Sequence, residues 1–259
     1  MRRVVWCVLV VIAVTPRARA QDRPFVFSLT TTAPEAKTQV RVDVDLGTGE
    51  GAFHGSDASG PEQRIGVQVS TGRFTVVGRV DVATSATAAY GTSQSGEVLV
   101  SFAPRHVVIA AGGGVLHEAR GVNVLLARVV ATRESELWRV NGNVLLQKPV
   151  GVPGRDPVDL LTTIGWARRI NTTVSLGVEA IGEDLEGFWE QAEAEGGARL
   201  LAGPSLHVAP RGRKWQLTAT GGPTFHPSDT GQNSGAPRDL PRTTKRLGYA
   251  FRTAIAVGF

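Results

Sequence analysis

Apolar and polar residues alternate with a period of two through much of the chain, and long helical periodicity is scarce. Successive side chains of a β-strand point to opposite faces, so this pattern predicts an all-β protein. Frequent glycines, 31 in all, favour the same interpretation. We predict twelve strands, over residues 38–47, 63–70, 73–84, 96–103, 106–115, 121–132, 137–149, 157–168, 172–183, 197–208, 213–225 and 246–259.

The last of these strands, 246–259, has the most regular alternation and ends in an aromatic residue. Its large face comprises Tyr249, Phe251, Thr253, Ile255, Val257 and Phe259, and its small or polar face Ala250, Arg252, Ala254, Ala256 and Gly258. This segment resembles the final strand of Gram-negative outer-membrane β-barrel proteins as a class. The resemblance implies a single transmembrane, antiparallel, up-and-down β-barrel. It also implies an assembly signal, recognised by the barrel-assembly machinery, that consists of Tyr249, Phe251, Ile255, Val257 and Phe259.

The N-terminus has the features of a cleaved signal peptide, which we place at residues 1–20. Two arginines precede an apolar run at 4–14, which is too short to span a membrane as a helix. Ala18-Arg19-Ala20 then offers a cleavage site. We expect a periplasmic lead-in over 21–37 and the barrel over 38–259. After the signal, no apolar stretch of about 18 residues predicts a transmembrane helix.

Removal of the predicted signal changes the charge and the chemistry that the chain offers. The whole chain has 28 basic and 23 acidic residues, and four of the basic residues lie in the signal, so 24 remain. The high isoelectric point is therefore no sign of nucleic-acid binding, and we expect none. The only cysteine, Cys7, also lies in the signal, which leaves no thiol for a disulfide, lipid attachment or a metal.

The predicted connections alternate in length. Every odd-numbered connection is longer than its even-numbered neighbours, from 48–62 after the first strand to 226–245 before the last. Outer-membrane barrels have short periplasmic turns and longer external loops, and an even number of strands leaves both termini in the periplasm. We therefore expect a location in the outer membrane, with the odd-numbered connections external.

Aromatic residues on the apolar phase are expected to collect at the two membrane interfaces, where a ring sits in the apolar edge while its polar part stays wet. Six of them map to the periplasmic rim: Phe74, Phe102, Trp138, Trp166, Trp215 and Phe259. Three others, Phe225, Tyr249 and Phe251, map near the external rim. This distribution supports the predicted topology.

The polar phase of the strands is predicted to face the inside of the barrel, because a charge on the lipid side is costly. The candidate lumen-lining residues are Arg41, Asp43, Asp45, Arg79, Asp81, Arg139, Asp159, Glu179, Arg199, His207 and Arg252, accompanied by Asn141, Asn143, Ser205 and Gln216. Some inward positions are apolar, namely Val77, Leu125, Leu145, Leu161 and Leu201. Near Leu125 we predict a β-bulge, without which Arg128 would face lipid.

Two functions are compatible with such an interior. In the first, a polar lumen passes small polar solutes passively. In the second, ion pairs and hydrogen bonds fill a closed barrel that has a structural, adhesive or lipid-contacting role through its external loops. Loop 183–195, with six acidic residues around Phe188 and Trp189, is the most distinctive of these loops. Its role stays open between solvation, pairing across the barrel mouth and contact with lipopolysaccharide.

Motifs for enzymatic chemistry are scarce. Ser205 and His207 share one face of a strand, as in some barrel lipases, but Gly203-Pro-Ser-Leu-His207 lacks the G-x-S-x-G elbow. The five histidines have no metal-binding spacing. We therefore predict no enzyme, no cofactor and no metal. The expected partners are outer-membrane lipids, lipopolysaccharide and, during biogenesis, the barrel-assembly machinery, and we expect a monomer.

Overall fold

The computed structural model describes residues 39–49, 62–84, 89–102, 107–118, 121–151, 158–183, 185–188, 199–225 and 247–258. Within these ranges the chain forms twelve strands and one 3₁₀ turn, Leu185–Phe188. The strands are β1 (Gln39–Gly49), β2 (Glu62–Thr71), β3 (Phe74–Thr84), β4 (Ala89–Phe102), β5 (Val107–Glu118), β6 (Asn123–Glu134), β7 (Trp138–Val150), β8 (Asp159–Arg169), β9 (Val174–Glu183), β10 (Arg199–Val208), β11 (Trp215–Phe225) and β12 (Leu247–Gly258). No helix among the described residues is long and apolar enough to cross a membrane.

The strands form one closed antiparallel barrel. Each strand pairs with the next along the chain, and β1 pairs with β12 to close the sheet. In this closing pair Asp43 lies opposite Ala256, and Asp45 lies opposite Ala254. The predicted up-and-down fold is therefore confirmed. The predicted signal peptide and lead-in lie outside the described residues.

Burial alternates along the strands and separates an apolar exterior from a mostly polar interior. In β6, Leu125 and Val129 each expose 49% of their surface, whereas Val124 and Val130 expose 1% or less. Large apolar residues are exposed on all strands whose side chains are described, Val80, Ile164 and Ile255 among them. A continuous apolar exterior on a closed barrel is the surface that a bilayer covers.

The barrel has two distinct ends. The turn end carries the connections 72–73, 103–106, 135–137, 170–173 and 209–214. The loop end carries 50–61, 85–88, 119–122, 151–158, 184–198 and 226–246. Exposed aromatic residues border both ends: Phe74, Phe102, Trp166 and Trp215 at the turn end, Phe225, Tyr249 and Phe251 at the loop end. Ile255 is also exposed, Val257 is half-buried, and Phe259 lies outside the described residues.

Most strand bounds agree with the predicted ones within two residues, but β4 begins at Ala89 rather than near residue 96. Its extra residues pair with the end of β3 through a register shift, because Asp81 lies opposite Ser93 and Val82 lies opposite Gly91. The extra residue in β4 is a β-bulge. The longer strand shortens the third connection, so 85–88, 103–106 and 119–122 are equally long. The prediction that every odd-numbered connection is longer than its neighbours is wrong there.

The predicted bulge near Leu125 is also wrong. Strand β6 pairs with β5 and β7 without a register shift, and Leu125 lies on the exposed face. Arg128 nevertheless points inward, because Val124, Leu126, Arg128 and Val130 all occupy one regular inward phase. Sequence reasoning assigned the wrong leucine to the interior, since Leu125 and Leu126 are equally apolar.

The two ends predict how the barrel sits in the membrane. We expect the turn end to face the periplasm, because short turns lie on that side in outer-membrane barrels. A thiol reagent that does not cross the outer membrane should label Q191C on intact cells. It should label R211C, in the exposed 209–214 turn, only after the membrane is opened. Labelling of R211C on intact cells, with Q191C protected, would reverse the orientation.

Candidate functional site in the barrel interior

The inward face contains many buried polar and charged side chains. The buried ones in the described part of the chain include Arg64, Gln68, Asp81, Ser93, Glu97, Arg128, Asn141, Asn143, Gln147, Thr163, Glu179, Ser205, His207, Gln216, Thr218, Thr220 and Arg252. The alternation of each strand places them there, because the apolar phase faces outward. The interior of the described barrel is therefore rich in polar and charged groups.

The first part of a charge network links β2, β3 and β4. Arg64 donates from Nε to Asp81 Oδ1 at 2.5 Å and from Nη2 to Asp81 Oδ2 at 3.0 Å. Ser93 donates its hydroxyl to Asp81 Oδ2 at 2.7 Å. The guanidinium matches the carboxylate with two parallel hydrogen bonds, which fixes the orientation of both groups. All three side chains are buried.

The second part of the network is centred on Glu97 of β4. Arg128 of β6 donates from Nε to Glu97 Oε2 at 2.6 Å and from Nη2 to Oε1 at 2.7 Å. Arg79 of β3 donates from Nη1 to the same Oε1 at 3.1 Å. Glu97 and Arg128 are each only 2% exposed. One carboxylate thus holds two guanidinium groups from different strands, within a set of three arginines and two acids.

Glycines on β5 make the Arg128–Glu97 contact possible. Strand β5 lies between β4 and β6, and its Gly114 pairs with Glu97 while its Gly112 pairs with Arg128. A Cβ atom at Gly114 would overlap the Gly96 carbonyl oxygen and lie 2.9 Å from Glu97 Cγ. Without side chains at these inward positions, Arg128 reaches across the intervening strand to the carboxylate.

A second polar region lies on the wall formed by β6, β7 and β8. We call it the amide stripe, and it consists of Thr132, Asn141, Asn143 and Thr163. Asn141 pairs in register with Thr132, and Asn143 with Thr163. Both amide atoms of each asparagine and both threonine hydroxyls are buried, and none has a hydrogen-bond partner among the described residues. No other described residue uses the hydrogen-bonding capacity of these buried groups.

An apolar cluster occupies the interior near the loop end. It consists of Leu116, Val124, Leu126, Leu145 and Leu161, with Val122 and Ile181 packed against it. Ile181 also packs against Leu201 and Ala250. Leu145, Leu161 and Leu201 are thus inward, as the pattern predicted, and so is Val77, which is buried on β3. Apolar side chains therefore occupy the part of the interior that lies beside β5 to β10 near the loop end.

Six of the candidate lumen residues have described side chains. Asp81, Glu179, His207 and Arg252 are buried inside the barrel, whereas Arg79 and Arg139 are half-buried. Arg79 and Asp81 belong to the charge network, and Arg139 lies at the turn end, where its Nη2 is 2.6 Å from Glu134 Oε2. The side chains of five others lie outside the described set: Arg41, Asp43, Asp45, Asp159 and Arg199.

Sequence reasoning missed Arg64 and Glu97, and it placed Arg128 inside only through a bulge. The alternation itself contained the signal. Arg64 shares a phase with Gln68 and Ser70 in β2, and Glu97 lies on the phase opposite the exposed Val98. Two central members of the charge network could therefore have been found from the period of two alone.

Ser205 and His207 lie on the same inward face of β10, and both are buried. His207 Nδ1 is 3.1 Å from Thr218 Oγ1, while the Ser205 hydroxyl has no hydrogen-bond partner among the described residues. The two side chains therefore do not form a serine–histidine pair. The described residues also contain no group of three His, Cys, Asp or Glu side chains that could hold a metal ion.

Comparison with solved structures places this architecture among outer-membrane β-barrels. The NanC porin superposes with a TM-score of 0.57 and 9% sequence identity, covering 83% of this chain and 98% of that chain. The KdgM porin superposes with a TM-score of 0.53 and 9% identity, covering 85% of this chain and 99% of that chain. No family model matches the sequence, and no curated protein matches it.

The closed barrel, its apolar exterior and its aromatic borders define the class: the protein has the fold of a single-chain outer-membrane β-barrel. The predicted resemblance to this class and the predicted fold are confirmed. The same apolar exterior and the same fold place the protein in the outer membrane.

Proposed function

We propose that the protein is a passive channel for small polar solutes. The observation that carries this proposal is the amide stripe. Leaving a buried polar group without a partner costs about 1–3 kcal/mol, and the two asparagines alone present four such atoms. A wet path along β6, β7 and β8 removes this cost, because water or solute hydroxyls complete the hydrogen bonds.

The charge network is compatible with such a path. Its arginines and acids pair with each other along β2, β3, β4 and β6, so they stay fixed when solutes pass. A twelve-stranded barrel falls between the side-chain-filled eight-stranded barrels and the water-filled sixteen-stranded porins. We therefore propose a narrow passage rather than a wide aqueous pore, and no catalytic role.

A second candidate function is a closed barrel with a structural, adhesive or lipid-contacting role. The apolar cluster favours it, because Leu116, Leu145 and Leu161 pack together inside the barrel instead of lining a wet wall. In this case the external loops would carry the function and the interior would only stabilise the fold. Conductance separates the two candidates.

The purified protein should give discrete conductance steps in a planar bilayer. The variant N141L/N143L should give clearly smaller steps or none, because leucine side chains cannot form hydrogen bonds with water or solute along this wall. The variant V140L/V144L changes two positions of the opposite, outward phase in the same strand and should conduct like the unchanged protein. Folding of each variant is checked by its faster migration on an unheated gel than on a boiled one.

The result that contradicts the channel is folded protein that gives no conductance steps. Conductance steps of equal size in the unchanged protein and in N141L/N143L would show that the protein is a channel whose path does not include the amide stripe.

A further inference from the structure

The outer surface of the barrel at the turn end contains a compact group of arginine and tryptophan side chains. Arg133 of β6 lies over the Trp138 ring, with its guanidinium carbon 5.5 Å from the ring centroid. Arg168 of β8 is the register partner of Trp138 in β7. Both arginines are exposed and lie on the outward phase of their strands. Trp138 is thus flanked by two cations on the lipid-facing side.

The two turns that support this group are tied together. Ser135 Oγ accepts hydrogen bonds from the amides of Leu137 and Trp138, at 3.3 and 3.1 Å. Arg169 donates its backbone N–H to the Leu137 carbonyl at 2.8 Å and its Nη1 to the Glu136 carbonyl at 2.9 Å. The segment before Trp138 is therefore held against the end of β8. These hydrogen bonds hold the backbone next to the Trp138 ring and the two arginines in place.

The carboxylate that follows Arg133 in the chain is already engaged by other residues. Glu134 lies on the inward phase, 2.6 Å from Arg139 Nη2 and 3.5 Å from Arg169 Nη2. Arg133 and Arg168 have no acidic partner among the described residues. Two positive charges beside an aromatic ring thus form no ion pair within the described part of the chain.

The position of the group relative to the membrane identifies its ligand. Trp166 precedes Arg168 on the same outward row, and Leu137 and Ile170 are exposed at the ends of the two turns. Apolar residues that lie beyond the tryptophans place the arginines at headgroup depth rather than in open solvent. A site that opens sideways toward the apolar exterior is reached by a lipid more directly than by a soluble anion.

We propose that Arg133, Trp138 and Arg168 bind the phosphate of an anionic phospholipid in the leaflet at the turn end. Guanidinium groups suit a phosphate because they donate two hydrogen bonds in one plane, and Trp138 holds one of them in place by a cation–π contact. The acyl chains then lie along Trp166 and Ile164 of the exterior. This site is independent of the proposed channel.

Quenching of tryptophan fluorescence by brominated lipids tests the site. The variant W6F/W189F/W215F retains Trp138 and Trp166 as its only tryptophans. We reconstitute it into phosphatidylcholine vesicles that contain either brominated phosphatidylglycerol or brominated phosphatidylcholine. Because two arginines attract an anionic headgroup, quenching should show a preference of about 5- to 30-fold for brominated phosphatidylglycerol over brominated phosphatidylcholine. In the same background, R133Q/R168Q should abolish the preference.

The matched control is R73Q/R211Q, which removes two exposed arginines from other turns of the same end. It should retain the preference if the site is local. An equal loss of the lipid preference in both double variants would show that it comes from the general positive charge of the turn end, and would overturn the proposal. So would the absence of any preference in the parent protein, or a preference that persists in R133Q/R168Q.

Discussion

Replacing Glu97 with glutamine should destabilise the folded barrel by about 3–5 kcal/mol. The carboxylate accepts two hydrogen bonds from Arg128 and one from Arg79, and Arg128 is almost fully buried. Its removal leaves a guanidinium inside the barrel without its counter-charge. The shift of the unfolding transition in denaturant, measured in detergent micelles, gives the loss.

The control for this change is E136Q, the same substitution at an exposed residue of the 135–137 turn. Its effect should stay within about 0.5 kcal/mol, as at most surface positions. The variant E97L/R128M should recover the part of the loss that comes from Arg128, because it removes that buried charge together with its counter-charge. The half-buried Arg79 still loses Glu97 in both variants. Equal stability of E97Q and E136Q would mean that water solvates Arg128, and the network would not hold the strands together.

Replacing Gly114 with alanine should destabilise the barrel by about 1–3 kcal/mol, the range for overpacking. The new Cβ would overlap the Gly96 carbonyl oxygen and lie 2.8 Å from Glu97 Cα, and these backbone atoms can move only if β4 and β5 separate. The same shift moves the carboxylate that Arg128 binds. Thermal and denaturant unfolding in micelles measure the effect.

Gly78→Ala is the matched control, because Gly78 is also a strand glycine and nothing lies within 4 Å of a Cβ built there. It should be neutral, or slightly stabilising through a stiffer unfolded chain. If G114A and G78A unfold alike, the close approach of β4 and β5 does not depend on the missing side chain.

The sequence predicted the strands and the exterior because each depends on local information, whereas closure was predicted through the resemblance of the last strand to those of outer-membrane barrels. The period of two in β12 assigns Tyr249, Phe251 and Ile255 to the outside without knowledge of any neighbour. The two leucines of β6 were ambiguous, since Leu125 and Leu126 are chemically alike and the phase is fixed only by Arg128 and the neighbouring strands. Where only one of the two faces of a strand is polar, alternation alone is sufficient to assign its inward and outward residues.

The charge network depends on information that is not local. Arg128 and Glu97 are 31 residues apart, and their contact requires the glycines of β5 between them. The bulge opposite Asp81 likewise follows from the pairing of β3 with β4 rather than from a sequence motif. A single sequence shows which residues are polar and inward, but not which of them meet.

The pairing of β1 with β12 has a consequence for the order of folding. Eleven of the twelve strand pairings in the described barrel join consecutive strands, so they can form as hairpins soon after each pair is available. The last pairing joins residues 41–49 to 250–258, the two ends of the barrel sequence. Its loop-closure entropy is the largest, and contacts of such long range are slow to form. Until β12 pairs with β1, the sheet has two unpaired edges that can pair with other chains. Formation of the β1–β12 pairing is therefore the step that decides between a closed barrel and aggregation.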